Sequence, residues 1–371
     1  MNLKIIYIIA GTLFFVSLSY GQDIEQKIQH ILDSTYHSNP QAVGFIVAVE
    51  MPDKNISLNL ATGYSNRNTK EILLPTTPVL GASNIKPYVA ATMLRLVERG
   101  KIKLGQPIHK FLKPNTGKLL ENAGYYTDSI TIKHLLSHTS GIRDYVDEAY
   151  FKFIDSHKNY EWTRDEQIER AAKAGAPLSR PGEIFRYADI NYLLLTEIIE
   201  NVTKRPYYKS IRTLLKFKKN HLDHTWFIKL ENKPENTQPL AHQYWDEFSW
   251  DTYDLDPSWD LYGGGGIVAT LNDYATFFQL LFQNKIVKDP DVLKMMYQDV
   301  PPNLEINYCL GIRKIHASDF LGYNHGGGLG TDVVYIPTLN ATIAIAALEA
   351  SHRKIVLQIR DRIIEQIGAI K

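Results

Sequence analysis

A serine and a lysine stand three positions apart in "GASNIKPYVAATMLRLVERGKIKLG", residues 81–105, where a small-residue turn runs into an apolar stretch. Positions three apart share a helix face, so the Ser83 hydroxyl and the Lys86 amine should lie side by side. A serine hydroxyl is a poor nucleophile until a base takes its proton. Lysine, with an ordinary pKa near ~10.4, becomes such a base when burial and the positive end of a helix disfavour its charge. An N-cap serine followed by a solvated lysine has the same spacing, and this pair alone does not separate the two.

Two further segments carry groups that could act beside it. In "FRYADINYLLLTEIIENVTKRPY", residues 185–207, Tyr187 and Asp189 precede a strongly apolar helix and follow the turn residues Pro181-Gly182. A phenol facing Ser83 could carry protons, and a cation such as Lys86 would favour its phenolate; a packing tyrosine is the alternative. In "GYNHGGGLGT", residues 322–331, glycines crowd His325. Glycine lets a backbone approach a ligand closely, but it also makes a plain hairpin turn with an exposed histidine. No strand-to-helix context surrounds these glycines, so they form no phosphate fingerprint. "YGGGGIVAT", residues 262–270, is a similar close-approach turn or a flexible joint.

Together these segments resemble the serine β-lactamase and penicillin-binding-protein superfamily, in particular its class C, D-alanyl-D-alanine carboxypeptidase and esterase branch. Ser83 and Lys86 match S-x-x-K, Tyr187 matches Y-x-N with Asp189 in place of the asparagine, and His325-Gly326-Gly327 match H-x-G. "IKHLLSHTSGI", residues 132–142, and "GGGGIVATLNDYATF", residues 263–277, also look typical of this branch. The resemblance spans almost the whole chain after its first residues, in the right order. It implies an acylated nucleophile at Ser83, proton removal helped by Lys86, and a proton shuttle at Tyr187. It also implies a substrate-binding set of Asp189, His325, Gly327 and Gly328. His325 would stand where the family keeps a cation that meets a substrate carboxylate. The backbone N–H groups of Ser83 and Gly328 would form the oxyanion hole. An ionised Asp189 only accepts hydrogen bonds and would hold Lys86 charged. Tyr187 is then expected to carry more of the base work, with weak β-lactam turnover.

Other chemistry is less well supported. His134 and His138 stand four apart, but "HLLSH" lacks the glutamate of a zinc H-E-x-x-H helix. Ser140 in "HTSGI" reads as a capping or turn residue. No G-x-S-x-G elbow exists, which argues against an α/β-hydrolase. "YWDEFSWDTYDLDPSWDLYGGGG", residues 244–266, either roofs the cleft and selects a substrate, for instance one with an amine, or is an aromatic-packed loop. The single Cys309 cannot form an intrachain disulfide and reads as a small buried residue.

The elements that must position these groups follow from periodicity. "DIEQKIQHILDSTYHS" has Ile24, Ile28 and Ile31 at helical spacing, and "AVGFIVAVEMPDKNISLNLATGYSN" reads as two strands around a turn at 52–55. The helix after Ser83 shows an apolar stripe of Val89, Met93, Leu96 and Val97, ended by Gly100. "TIKHLLSH", "INYLLLTEIIENVT" and "LNDYATFFQLLFQ" are helices; "NYCLGIRKIH", "DFLGYNHGGG", "TDVVYIPTL" and "ATIAIAALEA" are strands; "RKIVLQIRDRIIEQI" is a closing helix. The expected fold class is α+β: an antiparallel sheet (about 22–85 and 300–371) flanked by N- and C-terminal helices, with an inserted helical lobe (about 86–299). The resemblance implies the β-lactamase/transpeptidase arrangement, with the site in the cleft between the parts.

"MNLKIIYIIAGTLFFVSLSYG", residues 1–21, has the layout of a secretory signal peptide, its apolar run shorter than the ~20 residues of a spanning helix. A periplasmic or secreted protein is expected, without stable membrane insertion after cleavage. Of 371 residues, 44% are hydrophobic, and a net charge of +1 leaves no broad basic surface for nucleic acid. The reading is an exported serine hydrolase for a small-molecule or peptide substrate, cell-wall material among the candidates, with no cofactor or metal. A D-amino-acid peptidase or esterase is favoured over a β-lactamase. A non-catalytic penicillin-binding-like sensor of the same fold is the alternative.

Overall fold

Helix α1 (residues 22–38) leads into strands β1 (Gly44–Met51) and β2 (Ile56–Gly63) in the computed structural model, which describes residues 22–370. The segment read as a signal peptide, residues 1–21, lies outside the described residues. A lobe containing helices α2 (Ile85–Glu98), α3 (Ile132–Leu136), α4 (Glu148–Ser156), α5 (Ile190–Thr203) and α6 (Leu271–Phe282) follows. The chain then returns as β3 (Arg313–Ala317), β4 (Phe320–Gly327), β5 (Thr331–Ile336), β6 (Ala341–Ala347) and the last helix, α7 (Arg353–Gly368). The six strands form one antiparallel sheet in the order β2-β1-β6-β5-β4-β3. The fold is α+β.

Alternation decides what each face meets. Successive strand side chains point to opposite faces, so Phe45, Val47, Val49, Ile343 and Ile345 share one face of the sheet. They pack with Ile24, Ile28 and Ile31 of α1 and with Val356, Ile359 and Ile363 of α7. Ile46, Ala48, Ala344 and Ala346 share the other face and join the core that contains α2 and α6. Alanines on that face let α6 lie close against β1 and β6.

Helix α2 departs from the expected one-sided stripe: every residue from Ile85 to Leu96 is buried, Lys86 and Arg95 included. A helix enclosed on all sides is the central strut of a core, not a surface element. The expected strand over "NYCLGIRKIH" begins only at Arg313. Gly311 breaks it with a φ of +76°, and an added Cβ there would lie 2.6 Å from the Ala90 Cβ. The turn therefore packs directly onto α2.

A small three-stranded patch ties the two ends of the site together. Val79–Leu80 pairs with Ile267–Ala269, which also pairs with Trp226–Phe227. The Gly81 N–H donates to the Ile267 carbonyl at 2.8 Å. The turn carrying Ser83 and the glycine run 263–266 are thus held on adjacent strands.

Ile363, fully buried between α7 and the sheet, should cost about 3 kcal/mol when truncated to alanine. Urea unfolding of Ile363→Ala checks this; a loss below about 1 kcal/mol would mean that α7 is not part of the cooperative core.

Candidate active site

Ser83 lies in a 3₁₀ turn, Ala82–Asn84, immediately before α2. Ala82 takes a φ of +45°, a left-handed conformation that non-glycine residues adopt at a cost of about 1–3 kcal/mol. The surroundings enforce it. An added Cβ on Gly81 would meet the Tyr274 hydroxyl at 2.2 Å, and one on Gly327 would meet the Gly81 carbonyl at 2.2 Å. Thr331 Oγ1 donates to that carbonyl (3.1 Å) and accepts from Asn84 Nδ2 (2.7 Å). The β4–β5 turn is therefore clamped beside Ser83. Gly328, next in that turn, has open space where a side chain would be.

Lys86 has no solvent-exposed side-chain surface. Its Nζ donates to Ser83 Oγ at 3.0 Å and to the Gly264 carbonyl at 2.9 Å, and pairs with Asp189 Oδ1 at 2.7 Å. Two of the ammonium protons thus meet acceptors in hydrogen bonds, and Asp189 adds the opposite charge. The solvated-lysine reading is overturned by this burial. Asp189 is free for the pairing because another residue caps its helix. Asp144 accepts from the N–H groups of Asp189 (2.9 Å) and Ile190 (3.2 Å), satisfying the start of α5.

Tyr187 faces Ser83: the serine hydroxyl hydrogen-bonds the phenol. The ring lies 4.2 Å from the His138 ring, centroid to centroid, and Lys86 Nζ sits 5.1 Å from its own centroid. The expected phenolate is corrected here. Burial, then the Asp189 charge, push the phenol well above its ordinary pKa, outweighing the Ser83 hydrogen bond and Arg313. At rest Tyr187 keeps its proton.

His325 is also corrected. It is 1% exposed, with Nε2 3.1 Å from the Tyr308 hydroxyl and Nδ1 3.0 Å from the Gly326 carbonyl. Burial, Arg313 and Lys86 hold it well below the usual histidine range, so it is no cation. The positive group at this corner is Arg313, whose Cζ lies 6.0 Å from the Tyr187 centroid and 5.4 Å from that of Tyr308. Sequence reasoning missed Arg313, Tyr308, Asp144 and Asp260. No motif spacing marks Arg313, which lies on the strand preceding that of His325.

The alternatives resolve individually. His134 Nδ1 accepts from Thr131 N–H in a capping box, and α3 ends at Leu136, so His138 leaves the helix and does not pair with it. Ser140 accepts from Ile142 N–H and donates to Asn191 Oδ1 at 2.6 Å, a turn role. Cys309 is buried and its thiol is pushed up to about 11 by desolvation. In the acidic aromatic segment, Trp245, Phe248, Trp250 and Trp259 pack around Phe151 of α4. The segment is thus a packed loop, but its Asp260 reaches the site. Burial, then Asp189, push that carboxyl up to about 8, against the pull of Lys86.

A serine-bearing turn at the head of a buried helix, flanked by an antiparallel sheet and helices, is the arrangement of the serine β-lactamase and penicillin-binding-protein superfamily. More narrowly, the Beta-lactamase family pattern matches residues 25–353, and the chain belongs to that family. Protein flp of Staphylococcus aureus (strain N315) is 31% identical over 215 residues, 58% of this chain and 40% of that protein. The putative penicillin-binding protein PbpX of Bacillus subtilis (strain 168) is 28% identical over 74% of this chain, which spans 62% of PbpX. The chain thus spans less than two thirds of each of these relatives. The fold is similar to that of D-amino acid amidase from Ochrobactrum anthropi SV3, complexed with L-phenylalanine amide: TM-score 0.77, 22% identity, covering 93% of this chain and 99% of that one.

Asp260 gives the fold a pH dependence. Its carboxyl titrates near ~3.9 in the unfolded chain and at about 8 in the folded one. Between these values the native state binds a proton that the unfolded state has lost, so stability falls as pH rises. Asp144, raised to about 7 by burial and Asp189, adds the same sign over a narrower window. Denaturation midpoints from about pH 5 to 8 should fall less steeply in Asp260→Asn than in the parent; parallel slopes would contradict the assignment.

Proposed function

We propose that this chain is an exported serine hydrolase that acylates Ser83 with an amide or peptide substrate and then hydrolyses the acyl-enzyme. The observation that carries the reading is the position of the Ser83 hydroxyl, between the Lys86 ammonium and the Tyr187 phenol. Export rests on the composition of residues 1–21, and acylation on the residue types and spacing around Ser83.

In this reading Lys86 acts as a fixed cation, because Asp189 balances its charge. Ser83 Oγ attacks the substrate carbonyl carbon while its proton passes to the Tyr187 oxygen. The phenol's own proton moves to the leaving nitrogen, and the carbon–nitrogen bond breaks. A shuttle of this kind needs a phenol that is protonated at rest, as Tyr187 is. Water enters along the same path: its proton goes to Tyr187, the phenol proton returns to Ser83, and the acid is released. The Ser83 and Gly328 backbone N–H groups would hold the oxyanion, a single donor being worth about 3 kcal/mol. Arg313 supplies the cation for a substrate carboxylate, the role first expected of His325.

Within amides and peptides, D-configured amino acid derivatives are favoured. The similarity to a D-amino acid amidase across nearly its whole length supports that choice. Dedicated β-lactam hydrolysis is not favoured, because Asp189 beside Lys86 leaves the base work to Tyr187.

A fluorophosphonate or penicillin probe should add mass at Ser83 and not to Ser83→Ala; folded protein that takes up neither would favour non-catalytic ligand binding. Turnover of a panel of D-amino-acid amides, D-alanyl peptides, short-chain esters and cephalosporins ranks the substrates. Tyr187→Phe should lower kcat by about 10²- to 10⁴-fold. Asp189→Asn removes a negative charge that disfavours the phenolate, so the alkaline limb of the rate profile should move to lower pH. An unmoved limb would remove Asp189 from the account.

A further inference from the structure

His138, Tyr308 and His325 come from three separate segments and meet through one oxygen. His138 Nε2 lies 3.2 Å from the Tyr308 hydroxyl, which lies 3.1 Å from His325 Nε2. We propose that these three side chains form a hydrogen-bond relay with a single proton order, running from His138 through Tyr308 to His325, and that His138 and Tyr308 are positioning residues for Tyr187.

The order is set at both ends by groups whose roles cannot change. At the first end, the Ala188 N–H can only donate, and it points at His138 Nδ1 at 3.2 Å. Asn191 Nδ2 approaches the same nitrogen at 3.1 Å. The Asn191 amide is oriented in turn by Ser140, whose hydroxyl donates to its Oδ1. His138 Nδ1 is therefore bare, and its proton sits on Nε2, facing Tyr308. At the far end, the Gly326 carbonyl can only accept, so His325 carries its proton on Nδ1. Between them, the Tyr308 oxygen accepts from His138 and its hydroxyl donates to His325 Nε2. Each nitrogen of both rings then has a partner of the right kind.

The rival state is an imidazolium at His325, donating to Tyr308. Arg313 and Lys86 both face that ring and oppose a third positive charge there; they face His138 as well. The relay thus keeps two imidazoles uncharged beside Lys86. It also acts on Tyr187. The His138 ring lies 4.2 Å from that phenol ring and the Tyr308 ring meets it edge-on at 6.0 Å. Since His138 follows α3 and His325 lies on β4, the relay fixes the phenol relative to both elements.

Nitrogen-15 spectra of the histidine rings in the full chain, assigned with His138→Asn and His325→Asn, test the proton order without any assay of activity. Between about pH 6 and 9, His138 is expected as the Nε2–H form and His325 as the Nδ1–H form, neither titrating. An imidazolium at either ring near neutral pH, or the opposite tautomer at either, overturns the proposal. Tyr308→Phe tests the positioning role, which rests on the hydrolase reading above. His325 should begin to titrate, and the rate profile should gain an acid limb. The expected fall in kcat is between about ten- and a hundredfold, with KM little changed. An unchanged profile shape alongside intact parent tautomers would leave Tyr308 merely structural and refute that half. If Ser83 proves unreactive, the ring spectra still decide the relay on their own; if Tyr308→Phe fails to fold, the spectra of the parent chain decide it.

Discussion

Burying an ammonium group costs several kcal/mol unless acceptors and an opposite charge surround it. Lys86 is such a group, and most of the site can be understood as its compensation. The Gly264 carbonyl and Asp189 supply two of its three partners, and Ser83 is left as the third. Each partner comes from a different segment, so satisfying the lysine draws together the start of α2, the glycine run 263–266 and the start of α5. Asp189 can serve only because Asp144 takes over the capping of α5.

The same constraint orders the charges around the site. One buried cation with a carboxylate beside it leaves little tolerance for further charge of either sign. Tyr187 stays a phenol and His325 stays neutral, the first beside Asp189 and the second beside Arg313 and Lys86. Asp260 keeps its proton to about pH 8 first because it is buried, with Asp189 as a further charged neighbour. The phenolate and the imidazolium are the forms that burial disfavours first and these neighbouring charges disfavour further.

Much of the architecture was legible along the chain because it depends on local periodicity. The alternation in 44–51 and 341–347, the spacing of Ile24, Ile28 and Ile31, and the apolar runs of α5 and α6 each specify an element without outside help. Misreadings fell where tertiary contact overrides local pattern. Gly311 cuts an otherwise strand-like run because its backbone packs on Ala90. The apolar stripe on α2 looks one-sided in the sequence because nothing local tells that its whole circumference is enclosed.

For the site itself, residue types and short spacings determined which groups are present: a hydroxyl with an amine one helical turn away, a phenol with a carboxylate two positions on, and a histidine among glycines. Those facts are covalent and hold in any conformation. Only the folded chain decided their protonation and their partners, because both depend on burial and on charges dozens or hundreds of residues away. Arg313 stands twelve positions before His325 yet brings the positive charge to the corner where His325 was the expected cation. Tyr308, which no motif marked, supplies the oxygen shared by two imidazoles.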